Sequence, residues 1–395
     1  MANAASQRVL KFVKYLPAQG YRPIVVTVDG SPMVPRIDET MMNEMPEYSR
    51  VFRTPSIESF AFRAVPSKLI FMPDYYIGWY PFAVKRCQEI MKKIEISCIF
   101  AICPPFTSSI VASNIKKRFG LPYILDLSDP WTENPSTRYP TWINRRLDGY
   151  IEEKVIDSAD KVLVVSDTIK KTLVDKYRDE DKFSVMPLAF DNSLYNTKGV
   201  GSGKKMKISY IGSFYGSIFT PESFLRALDE LLKEGRINKD NLDIVFIGRY
   251  YFKSKAMIDA FNKKHYIIRL PGIVSQKRLM ERMMESDLLL LIINEVKSSE
   301  GYVTTKLIEY LPSENKIFAI APKNGEAAKI INKLDAGTIA SPCDIKEIKD
   351  AILSYYNEFK KGGIKKNTGI RKRIKDYDAE NTTKRLASMF DSLIE

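Results

Sequence analysis

DLLLLIINEVKSSEGYVTTKLIEYLPSENKIFAIAP, residues 287–322, reads as one strand–loop–helix–strand unit. DLLLLII (287–293) and KIFAIAP (316–322) are apolar runs too short to span a bilayer, and their length suits strands buried on both faces. A polar loop between them leads to a helix over 303–312, which Thr304 or Thr305 is placed to cap. Two strands joined by a helix imply a parallel, doubly wound sheet. The same alternation continues on either side, with strands KISYIG (207–212), LDIVFIG (242–248) and YIIRLPG (266–272), and with helices over 221–234, 275–285, 325–334 and 344–357. An earlier series has strands RPIVVTV (22–28), SCIFAIC (97–103), PYILDL (122–127) and KVLVVS (161–166). Amphipathic stretches 82–93, 108–119 and 143–156 separate them. The expectation is an α/β chain of two doubly wound, Rossmann-like domains facing a cleft. Its boundaries are 1–190, a linker at 191–206, 207–375, and a last amphipathic helix in 376–395. The Gly-rich NTKGVGSGKKMK (196–207) lacks the spacing of a phosphate loop and reads as linker.

The chain has 395 residues, 45% hydrophobic and 28% charged, which is ordinary for a globular protein of two or three domains. Four cysteines without CxxC spacing indicate neither a disulfide framework nor a zinc site, and a single histidine (His265) leaves little room for His-based metal chemistry. No GxSxG, HExxH or strand-borne GxGxxG occurs. The formal net charge of +13 points to an anionic partner: a nucleotide, a nucleic acid or an anionic membrane surface. For any single lysine, a solvated surface position is the plainer reading.

Chemistry is expected in the loops at the carboxyl ends of the strands. YIGSFYG (210–216) offers Gly212, Ser213 and Phe214, FIGRYYF (246–252) offers Arg249, and LPGIVSQ (270–276) offers Ile273 and Val274. In TTKLIEYL, Lys306 stands near a helix start, where the helix dipole disfavours a cation unless an anion is also there. Glu309 follows on the same face, where it could accept ribose hydroxyls. The plainer alternative is a solvated Lys–Glu pair of about 0.3–0.5 kcal/mol. In LDLSDPWTENP (125–135), Asp126, Asp129 and Glu133 are carboxylates, and Trp131 offers a flat face unless it packs in the core. PDYYIGWYP (73–81) groups Tyr75, Tyr76, Trp79 and Tyr80 as an aromatic loop that would suit a membrane interface.

Taken together, the opening RVLKFVKYLPAQGYRPIVVT, LDLSDPWTENP, KVLVVSDTIKKTL, YIGSFYG and TTKLIEYL resemble the family-4 glycosyltransferases of the two-Rossmann GT-B fold. The resemblance is to the branch that makes surface polysaccharides. It implies a retaining, metal-independent hexosyltransferase-like enzyme that takes a sugar from a nucleoside diphosphate-sugar to a glycan or lipid-linked acceptor. It also implies a cytoplasmic protein, peripheral on the inner face of the membrane, with no cofactor and no nucleic acid partner. The last helix would return to the N-terminal domain. Glu309 matches the second Glu of the family's E-x7-E motif. Gly301 stands at the position of the first, with Glu300 beside it as the substitute. Thr305 and Lys306 would lie near the diphosphate, and Gly212, Ser213 and Phe214 match the first donor loop, here without the family's Arg and Lys. Ile273 and Val274 match the base-reading segment, and Arg249 joins the donor side. Asp129, Lys306 and Glu300 are the catalytic candidates, while Asn3, Ser6, Asp129 and Trp131 are expected on the acceptor side. A nucleotide-sugar epimerase of the same fold and a non-catalytic GT-B partner subunit are the alternatives.

The helix over 4–16 has no strand before it, whereas family members begin with a short apolar strand and a loop. The expectation is a domain lacking that first strand. A second expectation concerns Glu309: with its carboxylate on the ribose hydroxyls, Glu309→Ala weakens nucleoside diphosphate binding by roughly 2–4 kcal/mol. Calorimetry on the folded variant measures it, and unchanged affinity removes Glu309 from the site.

Overall fold

The computed structural model describes residues 4–29, 45, 49–57, 71–134, 137–195, 203–296 and 299–395. The chain divides into two units, Ala2–Pro187 with Ala379–Glu395, and Leu188–Asp378. The central strands carry β-branched and leucyl side chains on both faces and are buried throughout, as parallel strands covered by helices must be.

In the first unit the described elements are α1 (Ala4–Tyr15), β1 (Ile24–Val28), β2 (Arg50–Thr54), α2 (Tyr80–Met91), β3 (Ile99–Cys103), α3 (Thr107–Phe119), β4 (Tyr123–Leu127), α4 (Trp142–Ser158), β5 (Lys161–Val164), α5 (Asp167–Tyr177) and β6 (Phe183–Val185). Strands β3, β4, β5 and β6 form one parallel sheet, and β1 pairs with β2 in a separate parallel sheet. Val26, Val28 and Ile99 nevertheless share one apolar cover, formed by Ala83 of α2 and by Val111 and Ile115 of α3. Strand β2 (RVFRT) escaped the sequence reading because its apolar run is only Val51–Phe52, flanked by Arg50 and Arg53, as suits a half-exposed strand.

One buried ion pair pins α1 to the sheet. Arg8 Nε donates to Asp126 Oδ2 at 2.5 Å and Arg8 Nη2 to Oδ1 at 3.3 Å. The remaining guanidinium protons reach the carbonyls of Pro187 (2.9 Å) and Met186 (3.0 Å). Asp126 is therefore a structural partner and is not free to face a ligand. Burial pushes its carboxyl pKa up while Arg8 pulls it back.

The second unit contains β7 (Met206–Ile211), α6 (Glu222–Lys233), β8 (Leu242–Ile247), α7 (Phe252–His265), β9 (Ile268–Gly272), α8 (Gln276–Glu285), β10 (Leu288–Ile292), α9 (Thr305–Tyr310), β11 (Lys316–Ile320), α10 (Glu326–Leu334), β12 (Gly337–Ala340), α11 (Ile345–Lys360) and α12 (Ile370–Arg373). Its six parallel strands run in the order β12-β11-β10-β7-β8-β9. Helix α7 was not expected: only Ser254, Ile258 and Phe261 are buried among its lysines, a stripe too thin to stand out. The last helix, α13 (Ala379–Ile394), belongs to the first unit, where Leu386 and Phe390 join Phe12, Leu16, Ile124 and Leu163.

Asp126→Ala leaves the Arg8 guanidinium buried without its charge partner and should cost about 3–5 kcal/mol in urea unfolding. The double change Arg8→Met with Asp126→Leu should recover much of that loss.

Candidate functional site

Strands β7 and β10 pair only through Leu288↔Ile208 and Leu289↔Ser209, and then part. Strand order reverses at this junction, since β8 and β9 lie on one side and β11 and β12 on the other. Doubly wound sheets bind ligands beyond such a switch point. The fully buried Tyr310 bridges the opening. Its hydroxyl accepts from Ile211 N at 2.8 Å and lies 3.3 Å from the Leu290 carbonyl, to which it can donate.

Tyr310 thus fixes α9 over the gap. Thr304 caps this helix, accepting from Leu307 N at 3.3 Å. Lys306 lies one turn before Tyr310 on the same face, and its side chain runs back over Gly212. Its ammonium sits 4.3 Å from the Phe219 ring centroid and 5.3 Å from that of Tyr210. No carboxylate lies within ion-pair distance of it among the described residues. Loss of water around the ammonium lowers its pKa from 10.5 to about 8, and Glu309 acts weakly the other way. The Lys–Glu helix pair does not form.

Backbone lacing holds the loops beside Lys306. Gly212 N donates to Ile247 O at 2.7 Å, Gly248 N to Gly272 O at 2.9 Å, and Phe214 N to Arg249 O at 3.0 Å. Ser213 Oγ accepts from Arg249 N at 3.3 Å. Gly212 (φ +152°) and Gly248 (φ +143°) occupy backbone regions that a side chain resists. A Cβ on Gly212 would lie 2.5 Å from Lys306 Cδ, and one on Gly248 would overlap the Gly212 carbonyl. Asn294, at the end of β10, clamps the segment that carries Phe219 through bonds to Ser217 O (3.2 Å) and Thr220 Oγ1 (2.9 Å).

Gly212, Ser213, Lys306 and the backbone of Arg249 are therefore brought together. The Arg249 guanidinium is half-buried, with no partner among the described residues. Ile273 and Val274 directly follow Gly272 in the third laced loop, and Ile273 is exposed. Thr305 opens α9, Glu309 lies half-buried near its end, and the Glu300 backbone rests against Gly325. Phe214 is corrected in role: its ring is fully buried and stacked on Tyr210 at 4.1 Å, so only its backbone can line a site. Tyr310, Phe219 and Asn294 were missed. The spacing of Tyr310 four residues after Lys306 was the one available signal.

In the first unit, Asp129 follows β4 as a half-buried carboxyl without a hydrogen-bond partner among the described residues, and burial raises its pKa. Trp131 presents no flat face to a ligand. It is fully buried, donates to Asp148 Oδ1 at 2.9 Å and stacks on Phe106 at 4.4 Å. Trp79 is likewise buried and donates to Thr54 Oγ1 at 2.7 Å, so 73–81 is not an exposed aromatic loop. Ser6 is exposed on α1, and Asn3 lies outside the described residues.

Residues 5–194 match the family described as Glycosyltransferase Family 4. Among solved structures, sucrose-phosphate synthase from Thermosynechococcus elongatus superposes with a TM-score of 0.72 at 14% identity, covering 99% of this chain and 94% of that one. HepE from Anabaena, solved with UDP and glucose, gives 0.68 at 12% identity over 99% and 96% of the two chains. A glycosyltransferase from Rickettsia africae gives 0.69 at 15% identity over 98% and 94%. No curated protein sequence matches the chain. Residues 5–194 thus match that family and the whole chain has the GT-B fold, which together support a glycosyltransferase of that type.

Gly248→Ala drives a methyl group into the backbone of the neighbouring loop and should cost roughly 1–3 kcal/mol in urea unfolding. Gly216→Ala, at φ +60° with open space around it, should cost less.

Proposed function

We propose that the chain is a retaining glycosyltransferase that moves a sugar from a nucleoside diphosphate-sugar to a hydroxyl of a lipid-linked glycan, at the cytoplasmic face of the membrane. The observation that carries this reading is the Lys306 ammonium at the switch point, held by ring faces and lacking a counter-charge. A partly desolvated cation without a carboxylate is costly, and an arriving diphosphate removes that cost. The complexes of HepE with UDP and with UDP-glucose support a nucleotide donor of this class.

In this reading the bond between the sugar's anomeric carbon and the diphosphate oxygen breaks. The acceptor oxygen bonds to the same face of the sugar, and its proton passes to the departing phosphate. Lys306 and the free guanidinium of Arg249 stabilise the charge that develops on the diphosphate, the part a metal ion plays in other transferases. Glu309 holds the ribose, and the backbone at Ile273 and Val274 meets the base. Glu300 would lie near the sugar. Asp129, a half-buried carboxyl, would orient the acceptor hydroxyl. We assign no cofactor, and turnover should survive EDTA.

The test follows from the sign of the Lys306 shift. Below pH about 8 the side chain is charged and above it neutral. Transfer and diphosphate affinity should therefore fall as pH rises through 8, and Lys306→Arg should carry affinity to higher pH. For stability, the unfolded chain holds this proton more tightly between about 8 and 10.5. The charged side chain thus opposes folding fully below 8, and this opposition fades as pH rises to 10.5. Lys306→Met should raise Tm at neutral pH by roughly 2–4 °C while abolishing diphosphate binding. Retained diphosphate binding in that variant, or strict dependence on a divalent metal, would overturn the reading.

A further inference from the structure

Helix α4 is built inside out over its first half. Asn144, Asp148 and Glu152, one turn apart, point inward and are buried. Each has a polar partner: Asn144 Oδ1 accepts from the capping Thr141 Oγ1 at 2.6 Å, and Asp148 accepts from Trp131 Nε1 at 2.9 Å and Tyr139 OH at 2.6 Å. Glu152 accepts from Lys176 Nζ at 2.9 Å. The outward face is the apolar one. Trp142 is 72% exposed, Ile143 58%, Leu147 47% and Tyr150 55%. Among the described residues twelve large apolar side chains are exposed, and these four fall within residues 142–150. At 3.6 residues per turn they share an arc of about 140° with Arg146 and Lys154. Scattered exposed apolar residues need no explanation, but a cluster opposite a buried polar stripe does.

The charges say what covers it. Arg138, Arg145 and Arg146 are exposed, and the only carboxylate in residues 138–150 is the buried Asp148. Lys154 reaches over the Tyr150 ring, 5.6 Å from its centroid. Further along the same face lie the exposed Glu153 and Asp157, the latter 3.8 Å from Lys154, so the net positive charge sits with the arginines at the amino end. Indole and phenol rings beside aliphatic side chains, fringed at that end by arginine, match a bilayer's acyl–headgroup boundary. We infer that the Trp142–Tyr150 face of α4 is a docking surface for an anionic lipid bilayer, with the rings and aliphatic groups entering the boundary and the arginines meeting lipid phosphates. This locates the membrane contact that the proposed function requires, and it does so on an element other than the buried aromatic segment at 73–81.

The experiment uses the full chain and no sugar donor, so that its outcome is independent of transferase activity. The protein is mixed with vesicles of phosphatidylcholine alone or with phosphatidylglycerol, and sedimentation and tryptophan emission are read. The chain has three tryptophans. Trp79 and Trp131 are buried, so a blue shift on binding reports Trp142. The expected result is binding to the anionic vesicles with a blue shift. Leu147→Ser should weaken partitioning roughly ten-fold, and Arg145→Glu with Arg146→Glu should remove the preference for anionic lipid by at least as much. Both variants change exposed side chains only and should unfold at the wild-type temperature. The inference is overturned if wild-type protein stays with the supernatant, if either variant partitions as wild type does, or if the chain is a dimer that Leu147→Ser dissociates.

Discussion

A single hydroxyl group, that of Tyr310, stands where the two central strands of the second unit separate. A parallel sheet whose order reverses must open at one point, and opening leaves backbone groups without ladder partners. Those of Ile211 and Leu290 meet Tyr310 instead. The same contact decides where α9 lies, which decides where Lys306 reaches, and the bare backbone of Gly212 lets it reach there. The candidate site is therefore a by-product of how the sheet satisfies its own hydrogen bonds.

Lys306 shows how a fold keeps a charge ready for a ligand. Ring faces of Phe219 and Tyr210 hold the ammonium more weakly than a carboxylate would. A carboxylate partner would stabilise the empty protein and compete with an incoming diphosphate. The cost is local, and the densely packed core around β7, β8 and β10 offsets it.

Much of this was legible in sequence. The unbroken apolar run of β10, and the run of β4 interrupted only by Asp126, announced parallel strands, and Lys306 drew notice because it broke the dipole rule at a helix start. Gly248 did not, because its role is to pass beneath another loop, and no spacing within its own segment encodes that crossing. Trp131 misled for a related reason: the carboxylate that buries it comes from α4, later in the chain. Helix α4 was legible as an amphipathic helix, but periodicity does not say which face turns inward, and here the buried Asp148 and Glu152 decide it.

Helix α13 closes the first unit from the far end of the polypeptide, with Leu386 and Phe390 over Phe12, Leu16 and Phe100. On the ribosome this has an order. Residues 379–394 emerge only after the whole of the second unit. Until then the part of that cluster which Leu386 and Phe390 cover stays wet, and the first unit waits, incomplete, while the second is free to fold. Vectorial synthesis thus reverses the expected sequence of events: the unit translated first is finished last, and the nascent chain offers its open flank to chaperones for nearly the entire time it is being made.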